Sequence, residues 1–214
     1  MIGDLIIMIT EQQFIDAAYI GNLEIVKEYL ENKGNVHAQE DYALRNASYY
    51  GHTETVRLLL EWKADVHAQD DEALHMASLR GHTETVRLLL EHEANVHAKE
   101  DEALRDASYY GHTEIVRLLL EHEANVHAKE DAALREASWK GHTEILKLLM
   151  EHIMKKELKG DQELWDAIVM YVLVDVKQNR SSEWFQKLLN DITNGKLKIP
   201  KDYLQLFQIA NLPH

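Results

Sequence analysis

From Glu11 onward the hydrophobic positions recur with a period of 30 residues, and the rows that begin at Asp41, Asp71, Asp101 and Asp131 all open D-x-A-L. Rows 71–100 and 101–130 are identical at 25 of 30 positions and differ only at 75, 76, 79, 80 and 85. A fixed period of this size marks a solenoid, in which each unit buries its apolar face against its neighbours. Within a row the pattern predicts two short helices. In the first, Ala73, Leu74, Ala77 and Ser78 share one sector of a helical wheel, while positions 72, 75, 76 and 79 face the other way. The small side chains of the inner sector permit close helix approach. Gly81 ends this helix, because glycine accepts a positive φ without steric cost.

Thr83 and Glu84 open the second helix, where Val86, Leu89 and Leu90 recur at i, i+3 and i+4. Glu84, Arg87 and Glu91 form a solvated ladder on its other face. Ala94 to Glu100 reads as a polar return loop that lacks a second glycine. Acidic pairs such as Asp70-Asp71 and Glu100-Asp101 stand at the loop-to-helix junction, where they are expected to satisfy the free N–H groups of the helix start.

The same frame appears in diverged form at both ends. Phe14, Ala17 and Gly21 occupy the slots of Leu44, Ala47 and Gly51, so Glu11 to Glu40 is a first unit. Glu163 to Ala167 keeps the frame again, which makes 161–195 a degenerate sixth unit, and Pro200 permits a last helix over about 201–211 that closes the stack. The expected organisation is a capping unit over 1–40, four regular units over 41–70, 71–100, 101–130 and 131–152, and a degenerate repeat with a helical cap over 153–214. The expected fold class is all-α, a solenoid of stacked helix-turn-helix units.

The string from Ala73 to Ala98, with its G-H-T-E, V-R-L-L-L-E and V-H-A segments, resembles the ankyrin repeat. Three features set it apart from that family's usual pattern. The unit has 30 residues, shortened in the loop before the first helix; Ala43, Ala73, Ala103 and Ala133 replace a proline; and His37, His67, His97 and His127 replace an asparagine. Such short arrays are similar to those of giant DNA viruses. The resemblance implies a protein-binding scaffold whose partner lies in the groove lined by the first helices, and Gly-His and V-N-A slots that tie adjacent units together.

Composition narrows the chemistry. The chain has no cysteine, which excludes disulfides, thiolate metal sites and thiol nucleophiles. Its formal charge is −14, with 23 basic and 37 acidic residues, a balance that disfavours nonspecific nucleic-acid binding. By row the charge is −5 over 1–40, −2 over 41–70, −3 over 71–100 and −4 over 101–130, whereas residues 131–214 are neutral. A basic or mixed basic and apolar partner is therefore expected toward the N-terminal units. The apolar run Leu5 to Ile9 is too short for an export signal or a membrane span, so an intracellular, cytoplasmic monomer with no membrane partner is expected.

Twelve of the 13 histidines fall within the repeats, and eleven of these recur at three slots. Equivalent residues of stacked units stand about 8–10 Å apart, too far to share a metal ion whose nitrogen ligands lie at about 2 Å. Each is read as a repeated hydrogen bond, with no metal, no cofactor and no catalytic residue expected. No phosphate-binding glycine loop or nucleophile motif is present, so the chain does not read as an enzyme.

The copies disagree mainly on the first helix. The variable slots hold Tyr42, Glu72, Glu102 and Ala132; Arg45, His75, Arg105 and Arg135; Asn46, Met76, Asp106 and Glu136; Tyr49, Leu79, Tyr109 and Trp139; and Tyr50, Arg80, Tyr110 and Lys140. Outer positions such as Glu54, Glu84, Glu114 and Glu144 do not vary. Tyrosine, tryptophan and arginine dominate binding hot spots, so this stripe, except Ala132, is the candidate partner-binding surface. A second reading starts from Ile199 to Leu204, which faintly resembles an F-box opening and would make the chain a substrate-recruiting adaptor of a ubiquitin ligase.

Overall fold

A computed structural model describes residues 9–156. The expectations for 161–195, for a helix over 201–211 and for the segment 199–204 lie outside the described residues, as does the run 5–8. Among the described residues there are ten helices and no strand, arranged as five helix pairs. These are α1 (Glu11–Ile20) with α2 (Leu23–Glu31), α3 (Ala38–Tyr50) with α4 (Thr53–Glu61), α5 (Ala68–Arg80) with α6 (Thr83–Glu91), α7 (Ala98–Tyr110) with α8 (Thr113–Glu121), and α9 (Ala128–Lys140) with α10 (Thr143–Lys156). The odd-numbered helices form an inner row and the even-numbered ones an outer row, each packed on its neighbour one unit away.

One apolar core runs the length of this stack. Leu44, Leu74, Leu104 and Leu134 repeat along the inner row, and Leu59, Leu89, Leu119 and Leu149 along the outer row, all buried. Ala47, Ala77, Ala107 and Ala137 lie between the rows, where the absence of a larger side chain lets the helices approach. The ladder expected on the outer face is present as Glu84–Arg87 at 3.5 Å and its counterparts Glu54–Arg57 and Glu114–Arg117. Such exposed pairs are worth a few tenths of a kcal/mol each.

Each inner helix ends at a left-handed glycine, with φ between 72° and 83° at Gly21, Gly51, Gly81, Gly111 and Gly141. The histidine of the next unit fills the space a side chain would take there. His112 Cε1 lies 2.6 Å from where a Cβ on Gly81 would sit, and His52, His82 and His142 cover Gly21, Gly51 and Gly111 in the same way. Their Nε2 atoms donate to carbonyl oxygens of the preceding unit: His52 to Tyr19 at 2.9 Å, His82 to Tyr49 at 2.9 Å, His112 to Leu79 at 3.2 Å and His142 to Tyr109 at 3.0 Å. The Gly-His pair is thus one inter-unit joint with two halves.

The shortened loop holds a second joint. Gln39, Glu40 and Asp41 have φ of 50°, 59° and 57°, and the equivalent triplets 69–71, 99–101 and 129–131 repeat this left-handed turn. Left-handed conformation costs about 1–2 kcal/mol for a residue with a Cβ, so twelve such residues need a compensating interaction. Asp41, Asp71 and Asp101 provide it with buried carboxylates that accept from the loop leading into the next inner helix. Asp41 accepts the backbone N–H of Asp65 at 2.8 Å, Asp71 that of Asn95 at 2.7 Å and Asp101 that of Asn125 at 2.7 Å. The histidines that replace asparagine donate to the same carboxylates, His37 to Asp41 at 3.1 Å, His67 to Asp71 at 3.0 Å and His97 to Asp101 at 3.1 Å. The acids therefore do not cap their own helices as the sequence suggests: no side chain caps α3, α5, α7 or α9.

Candidate functional site

The last turn of each inner helix delivers two side chains just ahead of the glycine. These are Tyr19 and Ile20 on α1, Tyr49 and Tyr50 on α3, Leu79 and Arg80 on α5, Tyr109 and Tyr110 on α7, and Trp139 and Lys140 on α9. Because a histidine of the following unit holds the carbonyl of Tyr19, Tyr49, Leu79 or Tyr109, the position of each pair is set by two units at once. The outermost rings are open to solvent: Tyr50 is 38% exposed, Tyr110 53% and Trp139 63%.

Two aromatic clusters result. In the first, the Tyr19 and Tyr50 rings meet edge-on at 4.4 Å, Tyr49 and Tyr50 at 4.8 Å, and the Arg80 guanidinium lies 4.9 Å from the Tyr49 centroid. Hydrogen bonding to Tyr19, reinforced by burial and by the neighbouring tyrosines, pushes the Tyr50 hydroxyl up to about 12. In the second, Tyr109 meets Tyr110 at 4.7 Å and Trp139 at 5.8 Å, and Lys140 Nζ stands 4.1 Å from the Tyr109 centroid and 4.3 Å from that of Trp139. Tyr50 and Tyr110 also stack on His52 and His112, at 6.2 and 6.3 Å, which couples the exposed rings to the inter-unit joint.

The polar residues of the stripe lie nearer the start of the inner helices and are largely engaged with one another. Arg45 donates to Glu72 of the next unit at 2.6 Å, and its guanidinium lies 4.8 Å from the Tyr42 centroid. His75 Nε2 donates to Asp106 at 2.9 Å, while Arg105 donates to Glu102 at 2.6 Å and to Asp106 at 3.1 Å. Burial alone would raise the Asp106 carboxyl, but the hydrogen bond from His75 and the charge of Arg105 hold it below its ordinary value. Burial opposes the charge on Arg105 in turn, and Glu102 with Asp106 keeps that guanidinium above its usual range. Arg135 turns back to the carbonyls of Lys129 and Glu130, and Asn46, Met76 and Glu136 are half-buried.

A family model described as Ankyrin repeats (3 copies) matches the chain over residues 14–100 and again over 96–160, together more than half of its length. The chain belongs to the ankyrin repeat family. Among the curated proteins nothing matches it. Ankyrin repeats generally mediate binding between proteins and are typically not enzymes. Among the described residues no helix is long and apolar enough to cross a membrane.

Two features of this ankyrin array escape sequence reasoning. Tyr19 and Ile20 belong to the exposed stripe, 47% and 63% exposed, and the 30-residue register that aligns Tyr19 with Tyr49 was the available signal. Arg45 with Glu72 and His75 with Asp106 bond across units, and Arg105 holds Glu102 and Asp106 within α7, so these six do not present free side chains; the signal for the two inter-unit contacts was polar complementarity at separations of 27 and 31 residues. His75, Glu102 and Asp106 bring ligand-type atoms within 4.8 Å of one another. Arg105 donates to both of those carboxylates, so the chain supplies the cationic partner of this cluster itself. Two clefts, of about 490 and 860 Å³, lie away from the stripe, one between α8 and α10 and one along the left-handed turns at His37 and His67.

Proposed function

We propose that the protein is a binding module for another protein, and that the partner docks on the exposed ends of the inner helices. The observation that supports this most directly is the contrast between the two kinds of position. The joints and most of the core repeat, with conservative exchanges such as Thr85 to Ile115 and Val116 to Leu146, while the solvent-facing slots at the ends of α3, α5, α7 and α9 vary in chemical class and favour tyrosine, tryptophan and cations. A stack with both joints repeated through residues 41–130 presents these side chains from a fixed backbone, so little ordering entropy is lost on docking. Within the stripe, Tyr49, Tyr50, Leu79, Arg80, Tyr109, Tyr110, Trp139 and Lys140 make the contact, with Tyr42 at its margin. The ion-paired residues between units hold the inner helices in register. Affinity capture from a cell lysate, with wild type beside a Tyr109→Ala/Trp139→Ala variant of the full chain, tests this. The partner is lost from the variant while its far-UV circular dichroism stays unchanged; capture of the same partner by both proteins refutes the reading.

A further inference from the structure

The net charge of −14 suggests a basic partner, but its location does not. The last two slots of the five inner helices hold ten residues: six aromatic, two aliphatic, Arg80 and Lys140, with no acid among them. The acids lie elsewhere. Glu54, Glu84 and Glu114 are exposed on the outer helices, and Glu40, Asp70, Glu100 and Glu130 on the left-handed turns. Of the acids nearer the start of the inner helices, Glu72, Glu102 and Asp106 already hold Arg45, Arg105 and His75, and Glu136 lies half-buried on α9, one turn before Lys140. Among the described residues neither Arg80 nor Lys140 has a carboxylate partner; each rests on the face of an aromatic ring with its charge toward solvent.

A cation in the last turn of a helix is favoured by the helix dipole, yet Tyr50 and Tyr110 fill the same slot in α3 and α7, so the scaffold does not require one. Two equivalent placements two units apart, a cation laid on the tyrosine of the preceding unit, are left to explain. Resting on Tyr49 and on Tyr109, these cations are separated by two helix-packing steps, roughly 16–20 Å. That distance matches about five or six residues of extended chain at 3.3 Å each.

We infer that the stripe takes an extended acidic and apolar peptide segment of the partner, with one carboxylate on Arg80, a second on Lys140, and apolar side chains between them over Leu79 and Tyr109. This rests on the stripe being the docking surface and adds the chemistry of what docks there. Cation and ring act together: the carboxylate fixes the register and sets the sign of the partner, and the aromatic faces bury its apolar side chains.

The test uses the full chain and three labelled synthetic peptides, read by fluorescence anisotropy at low salt. One carries two glutamates about six residues apart with Phe and Leu between them, the second has lysine in both places, and the third brings the glutamates together. The first is expected to bind roughly tenfold more tightly than the lysine peptide, the combined effect of two partly exposed ion pairs. An Arg80→Gln/Lys140→Gln variant loses that preference. Equal binding of the first two peptides, a preference for lysine, no binding of any peptide, or tighter binding of a single-stranded oligonucleotide through the same two cations overturns the inference. The docking surface fails separately, through unchanged capture by the Tyr109→Ala/Trp139→Ala variant. A captured partner that needs the stripe but contacts it through a basic segment leaves the surface standing and overturns the acidic assignment.

Discussion

Asp101→Ala measures what the second joint contributes. The Asp101 carboxylate is 5% exposed and accepts from the Asn125 N–H at 2.7 Å and from His97 Nδ1 at 3.1 Å. A hydrogen bond to a charged acceptor is worth about 1.5–3 kcal/mol net, and a buried N–H left without a partner costs about 1–3 kcal/mol. These terms overlap, because losing the acceptor is what orphans the donor. Alanine also has to adopt the φ of 56° at this position, which aspartate tolerates better through its own polar side chain. The sum is a loss of about 3–4 kcal/mol. Asp101→Asn keeps an oxygen for the Asn125 N–H and an amide N–H that His97 Nδ1 accepts in its other tautomer, so it loses only about 1 kcal/mol. Urea unfolding followed by far-UV circular dichroism separates the two: at an m-value of about 3 kcal/mol per molar, alanine lowers the midpoint by about 1 M and asparagine by about a third of that. An alanine variant within 1 kcal/mol of wild type, or an asparagine variant as unstable as the alanine one, refutes the argument that the carboxylate offsets the left-handed turn.

Three further outcomes follow from the same geometry. Gly81→Ala combines φ of 81° with a contact of 2.6 Å to His112, whose ring is tied to the Leu79 carbonyl, and is expected to cost about 2–3 kcal/mol; in a double-mutant cycle with His112→Ala the two losses are less than additive. Glu93→Gly, at an exposed helix end with φ of 66°, stabilises the array by about 0.5–1 kcal/mol, read as a rise in urea midpoint. Asp106 is held below its ordinary value, so its contribution is complete above about pH 4, where the unfolded carboxyl has released its proton, and decays as the pH falls through the lower native value. The urea midpoint of the wild type therefore drops more steeply below pH 4 than that of Asp106→Asn.

The sequence carried the helix pairs, because the apolar period and the glycine turn are local signals repeated in every row. Leu74, Leu89 and Gly81 sit where that pattern puts them. The left-handed turns were not legible. Ala-Gln-Asp-Asp at 68–71 has the composition of a helix start, and what holds it in the opposite hand is the Asn95 N–H, 24 residues further on. The stripe was legible as a set of variable slots, but not as two layers. Nothing local to Arg45 or His75 shows that each reaches a carboxylate of the next unit, whereas Tyr50, Tyr110 and Trp139, with no such reach, stay open to solvent. The charge at the ends of the inner helices was hidden for a related reason: summing charge by row mixes the outer helices, the turns and the helix starts with end slots that hold no acid.

The claim that the ends of the inner helices form the docking surface is tested most directly by photo-cross-linking in cells. A benzophenone side chain is installed at Tyr110, and in a separate protein at Arg87 on the outer row. A covalent adduct with a second protein from position 110, absent from position 87, is the predicted result. An adduct from 87 alone, or from both positions equally, contradicts it.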